Sequence, residues 1–228
     1  MLAGAFIGLG ALMSTLVAGD ASPGFAASRL RGGLVFSRGL VLVVVASAEL
    51  FTGNNLIAIA WASGRVSSRE MLRDWPIAFA GNLVGAVGLA LLAWLAGRAA
   101  LNHGAVGEAV TRIAIAKLQL PLVEALFSGV LCNVLVCMAA WMAMAGRSVT
   151  DKVLAIVFPI TAFVAAGFEH SIANLFFFAL ALMLGAPITA TEMLGNLLPV
   201  LAGNVVVGNV LVALVDWVTC RLPGATQP

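Results

Sequence analysis

Gly167-Phe168-Glu169-His170-Ser171-Ile172-Ala173-Asn174 sets a carboxylate, an imidazole and an amide inside an apolar segment running from about 153 to 184. Such groups are costly in hydrocarbon, so they mark either a functional site or a polar knot tying helices together. A second stretch favours the site. Glu49-Leu50-Phe51-Thr52-Gly53-Asn54 carries the same Glu and Asn at the same spacing, inside another long apolar segment. Downstream of each lies a Gly-Asn pair, in Gly81-Asn82-Leu83-Val84-Gly85 and in Gly203-Asn204-Val205-Val206-Val207-Gly208. The chain therefore reads as two related halves.

Composition sets the solvent. Of 228 residues, 62% are hydrophobic and 10% are charged, against about 25% charged in soluble domains. The apolar runs reach the roughly 20 residues that a helix needs to cross the hydrocarbon core. They are continuous and do not alternate, which points to helices and away from a barrel. The reading is an all-α integral membrane protein.

Six spans fit the runs, at about 1–18, 36–63, 75–97, 120–145, 153–184 and 195–218. The first competes with a signal peptide ending near Ala18-Gly19-Asp20. It lacks a basic start, however, and carries Gly4 and Gly8 at the small-xxx-small spacing of a packed helix. Lys and Arg divide evenly. Arg65, Arg69, Arg73, Arg147, Lys152 and Arg221 fall on one side; Arg29, Arg31, Arg38, Arg98, Arg112 and Lys117 fall on the other. The positive-inside rule thus gives no orientation beyond a lean towards cytoplasmic termini, from Arg147 and Lys152 beside their short loop.

Three spans per half oblige the halves to run oppositely through the membrane. A single transmembrane domain, 1–228, is expected, with inverted halves at about 1–110 and 111–228. Inverted repeats place a substrate site at the bilayer midplane between the halves. The second and fifth spans are the longest and polar in their middles, and Thr52-Gly53-Asn54-Asn55 are poor helix formers. Both spans are expected to break there, aiming positive half-helix ends at the centre, where they favour an anion.

Several classes drop out. The net charge of +2 comes without a basic, aromatic-studded patch, so nucleic acid is not a partner. Cys132, Cys137 and Cys220 lie in or beside apolar segments and read as buried thiols. His103 and His170 stand far apart, so no metal site is expected, and no cofactor motif is present. Glu169 and His170, being adjacent, point to different sides of a helix and make a poor catalytic pair. The chain is read as a channel or carrier and not an enzyme.

Taken together, Ala48-Glu49-Leu50-Phe51-Thr52-Gly53-Asn54-Asn55, Gly167 to Asn174, Leu131-Cys132-Asn133-Val134-Leu135-Val136-Cys137, Gly81 to Gly85, and Asn196-Leu197-Leu198-Pro199-Val200 before Gly203-Asn204 resemble the formate/nitrite transporter family. The resemblance covers nearly the whole chain, with its motifs in order. It implies six spans of aquaporin-like fold, a homopentamer with one pore per protomer, and a bacterial inner membrane with cytoplasmic termini. Members usually carry an amphipathic helix before the first span, whereas Met1 opens on that span here. Gating by such a helix is therefore not carried over.

The resemblance also implies roles. His170 is the central pore histidine, and Thr52 from the opposite broken helix is its hydrogen-bond partner. Asn133 and Asn204 are polar groups near that centre, and Lys117 draws anions into the outer vestibule. Phe36 and Phe163 resemble the outer constriction, and Leu40, Leu50, Phe51 and Val136 the inner one. Glu49, Asn54, Glu169 and Asn174 read as structural polar groups bracing the breaks. Arg38 sits between Phe36 and Leu40 and is expected to snorkel or to face a neighbouring protomer.

A small anion loses hydration at a dry constriction, and Lys117 with the half-helix dipoles offsets part of that cost. An imidazole changes charge within the physiological pH range, so His170 is expected either to protonate the anion or to supply positive potential only. The expected substrates are small monovalent anions, formate first and nitrite second, with protons as the coupled species. Ile115-Ala116-Lys117 followed by Pro121 resembles the nitrite branch; Gly146 to Lys152 and Leu198-Pro199-Val200 resemble the formate branch. Hydrosulfide and short-chain carboxylates such as acetate or lactate are alternatives. A neutral-solute channel of aquaporin type would want an Asn-Pro-Ala pair, which this sequence lacks.

Overall fold

The computed structural model describes residues 1–20 and 24–207. Among them there is no strand. The helices are α1 (Leu2–Ala18), α2 (Phe25–Val45), α3 (Ile57–Ala62), α4 (Ser68–Leu95), α5 (Ala105–Leu118), α6 (Leu122–Ala145), α7 (Val149–Ala166), α8 (Ser171–Met183) and α9 (Ala190–Val207). Single 3₁₀ turns at Asn54–Leu56 and Arg98–Ala100 lead into α3 and follow α4. Helices α4, α6 and α7 are each long and apolar enough to cross a membrane; α1 and α8 are shorter and apolar.

Local chemistry explains the ends. Ser67 and Glu70 form a reciprocal capping box at the start of α4, as Ser148 and Asp151 do for α7. Pro121 stands at the N-cap of α6, where its missing N–H costs nothing. Small residues then let backbones approach. Gly4 of α1 lies against the Asn82 carbonyl and Gly85 of α4 against the Met1 carbonyl, so a methyl group at either would collide. Gly129 of α6 and Gly203 of α9 meet the Val200 and Leu126 carbonyls in the same way.

These contacts build the bundle. Helix α1 packs on α2 and α4, α2 on α7, and α6 on α7 and α9. Helix α8 lies innermost, against α4, α5 and α1. Its residues from Ser171 through Phe178 are all buried, as expected for a helix apolar on every side. That position makes its N-terminus the natural centre of the molecule.

The first span is a packed helix, as its glycine spacing predicts. The helix boundaries differ from expectation where polar residues continue a helix beyond the hydrocarbon. Helix α2 begins at Phe25, well before 36, and α4 begins at Ser68 through its capping box. Helix α5 was not anticipated. Arg112 and Lys117 place it between spans, but Val106, Ala109, Val110 and Ala114 form a buried stripe at helical spacing. The sixth span beyond Val207 and Cys220 lie outside the described residues.

Candidate functional site

Two interruptions define the site, and several of their hydrogen bonds correspond. Helix α7 closes at Gly167, whose φ of 82° is the left-handed conformation glycine adopts without strain. The Gly167 N–H donates to the Val164 carbonyl, and the Phe168 N–H to that of Phe163. Helix α2 closes with the same pair of bonds, Ser47 to Val44 and Ala48 to Val43, through Ser47 at φ 52°. Beyond each closure an asparagine spans the extended chain. Asn204 Oδ1 accepts from the Ser171 N–H at 3.0 Å, and its Nδ2 donates to the Glu169 carbonyl at 3.1 Å. Asn82 Oδ1 accepts from the Phe51 N–H at 2.8 Å, and its Nδ2 donates to the Glu49 carbonyl at 3.0 Å. The Gly-Asn pairs that repeat in the sequence are thus the two clasps.

His170 sits at the second interruption as the N-cap of α8. Its Nδ1 accepts from the Ala173 N–H at 3.2 Å, satisfying an otherwise unpaired helix donor. That bond assigns the neutral tautomer with hydrogen on Nε2, which lies 3.0 Å from Thr52 Oγ1. Thr52 comes from the other interruption, and both residues are buried. Cys137 Sγ contacts the Thr52 carbonyl at 3.7 Å, steadying that loop. The structure therefore brings Thr52 and His170 together. Asn133 and Asn204 form a neighbouring cluster in which Asn133 Nδ2 and Asn55 Nδ2 both donate to the Asn204 carbonyl.

Lys117, at the last turn of α5, forms an ion pair with Glu169 at 2.7 Å. The other oxygen of Glu169 accepts from Asn174 Nδ2 at 2.6 Å. Asn174 Nδ2 also donates to Asn196 Oδ1, and Asn196 Nδ2 returns to the Lys117 carbonyl at 2.7 Å. This closed ring ties α5, α8 and α9 together around one buried carboxylate. In the first half the parallel is partial. Asn54 Nδ2 bonds Asp74 at 3.0 Å, while Glu49 is exposed and engages Asn82 through its backbone alone.

A cavity of about 370 Å³ leads to His170. Lys117, Glu169, Arg29, Phe36, Phe163 and Phe177 are among its walls. Past His170 lies an apolar gap too narrow for water, lined by Ile7, Phe36, Leu40, Val136, Ile160, Phe163 and His170. The Phe36 and Phe163 rings meet edge to face with centroids 5.5 Å apart, and Phe163 stacks near the imidazole at 6.0 Å. The gap thus gathers Phe36 and Phe163, expected at an outer constriction, with Leu40 and Val136, expected at an inner one, beside His170. Leu50 and Phe51 are buried but do not line it, and the Phe51 ring turns to Phe79. Arg38 is exposed, away from the gap between its neighbours Phe36 and Leu40.

Some groups escaped the sequence reading. Asn82 was visible in the Gly-Asn repeat, though not its role as a clasp. Asn196 was visible only as part of a motif. Arg29 had no signal, since its Nε donates to the Ala165 carbonyl, 136 residues away. Among the described residues no cluster of His, Cys, Asp or Glu could hold a metal, and Cys132 and Cys137 are free buried thiols.

Apolar helices around a buried polar centre, with a cation-lined cavity on one side and a dry gap on the other, define a membrane transport protein. The chain belongs to the formate/nitrite transporter family, whose model matches residues 1–218. It is similar to the formate channel FocA of Escherichia coli K12, with 38% identity over 95% of this chain and 83% of that protein. It is also similar to the nitrite transporter NirC of Salmonella typhimurium, with 37% identity over 95% of this chain and 80% of that protein. A solved structure titled as a pentameric formate channel with formate bound aligns with a TM-score of 0.85 and 36% identity, over 96% of this chain and 93% of that one. These relatives are named as channels and transporters, so the chain belongs with transport proteins and not with enzymes.

Proposed function

We propose that this protein conducts small monovalent anions, formate first and nitrite second, through a pore in each protomer that passes His170. The observation that carries the reading is His170, which lines both the cavity and the dry gap while its ring meets buried Thr52 at 3.0 Å. An anion in the cavity reaches the His170 ring before the gap strips its remaining water. The matched Asn82 and Asn204 clasps support an inverted repeat of three plus three spans with broken second and fifth helices. The pentameric neighbour supports a homopentamer, the bacterial relatives fit an inner membrane, and Arg147 and Lys152 beside their short loop favour cytoplasmic termini.

His170 acts as a neutral Nε2–H donor in the resting arrangement. Protonation would put a hydrogen on Nδ1, against the Ala173 N–H that it now accepts. A proton hand-off to the anion therefore requires the α8 cap to open in each cycle. A uniport, with the ring as donor only, leaves the cap closed. His170→Asn separates the two readings, because asparagine also caps helices. In proteoliposomes, a relay predicts that formate uptake loses its acceleration by an inward proton gradient. Proton-coupled uptake unchanged in His170→Asn would end the relay; no saturable anion uptake by the wild type would end the channel reading itself.

A further inference from the structure

Two cations line the cavity that leads to His170, and among the described residues only one has a carboxylate partner. Lys117 is matched by Glu169 at 2.7 Å, so together they contribute little net charge. Arg29 lines the same cavity and forms no ion pair among the described residues. Its surroundings show why an arginine stands there. Helix α7 ends at this cavity, and the negative end of its dipole would repel an entering anion. Arg29 Nε donates to the Ala165 carbonyl at 2.8 Å, capping that end. Its guanidinium lies against Gly167, in the space a side chain would need. One of five N–H groups makes this bond, and the guanidinium stands 6.0 Å from the Phe25 ring centroid. Among the described residues no hydrogen bond engages the flat terminal fork, whose N–H groups remain for a ligand.

We infer that Arg29 is the anion-gathering residue of this cavity, a docking point for a small monovalent oxyanion ahead of His170, while Lys117 positions Glu169. The inference rests on the channel reading above. Bidentate recognition suits formate and nitrite, each of which presents two oxygens. It also assigns the long-range attraction to the uncompensated charge, because an ion pair is a dipole whose field falls away faster with distance.

Initial rates of formate uptake into proteoliposomes, taken against concentration at low and high ionic strength, test this. Removing this docking charge predicts a half-saturation about three- to tenfold higher in Arg29→Gln. The ionic-strength dependence should be flattened, and the maximal rate changed less than about twofold. Arg29→Lys keeps the charge but loses the fork, so its half-saturation should rise less than that of Arg29→Gln. If Arg29→Gln does not assemble, Arg29→His switches the charge within one folded protein, its imidazole titrating near pH 6.5. Its half-saturation, divided by that of the wild type, should be near one at about pH 5.5 and several-fold higher at about pH 8. A wild-type half-saturation in Arg29→Gln overturns the inference. So does a ratio for Arg29→His that is the same at both pH values, or equal impairment in Arg29→Lys and Arg29→Gln, which would make Arg29 a helix cap alone. A wild type without saturable uptake would instead defeat the channel reading.

Discussion

At Thr52, exchanging a hydroxyl for a methyl separates shape from hydrogen bonding. Thr52→Val keeps the volume but strands the His170 Nε2–H, and an unpaired buried donor costs about 1–3 kcal/mol. If that bond holds the ring in its conducting orientation, uptake should fall about tenfold or more. Thr52→Ser should keep most of it. Rates of Thr52→Val equal to the wild type would remove the contact from the transport mechanism. The clasps give a stability test at the same scale. Asn204→Ala abandons bonds to Ser171, Glu169 and Gly129 in a fully buried setting, and should cost roughly 3 kcal/mol or more. Asn82→Ala abandons bonds only to Phe51 and Glu49 and should cost less. Thermal unfolding in detergent ranks them, and the reverse order would contradict the assignment of Asn204 as the more deeply committed clasp.

At the level of elements, the two helix closures differ in one respect that matters for energy. Gly167 adopts its positive φ freely, whereas Ser47 adopts one at a cost of roughly 1 kcal/mol. Ser47 is exposed and loses little packing on truncation. Ser47→Gly should therefore raise the unfolding midpoint, and Gly167→Ala should lower it while also displacing the Arg29 guanidinium. A Ser47→Gly protein less stable than the wild type would show that the strain reading is wrong. The polar stretches were legible in the sequence because they repeat, and polar residues inside apolar runs are conspicuous. Helix α5 was not legible as a helix, since its charges mask a buried stripe that is only one face wide. The pairing of Lys117 with Glu169 was hidden for the same reason. A lysine drawn on a loop has no fixed direction, and only the helix aims it at a partner 52 residues away.

For the whole molecule, what remained illegible is what depends on distance along the chain. Arg29 capping α7 joins residues that no local pattern connects. Its exposed apolar surface includes Leu30, Ile77, Leu92, Phe127 and Phe158, each more than half exposed, and does not distinguish lipid from a sister protomer. In the proposed homopentamer, sister protomers would cover part of it. The cavity, the Thr52–His170 contact and the dry gap all lie within one chain, so each protomer should conduct by itself. Mixed oligomers test this directly. Wild-type and Thr52→Val chains, co-expressed with different tags and purified by both, should transport in linear proportion to the wild-type fraction. Their mass should match five chains. Flux that falls more steeply than linearly would mean that protomers act together, and would move the pathway from within the chains to the space between them.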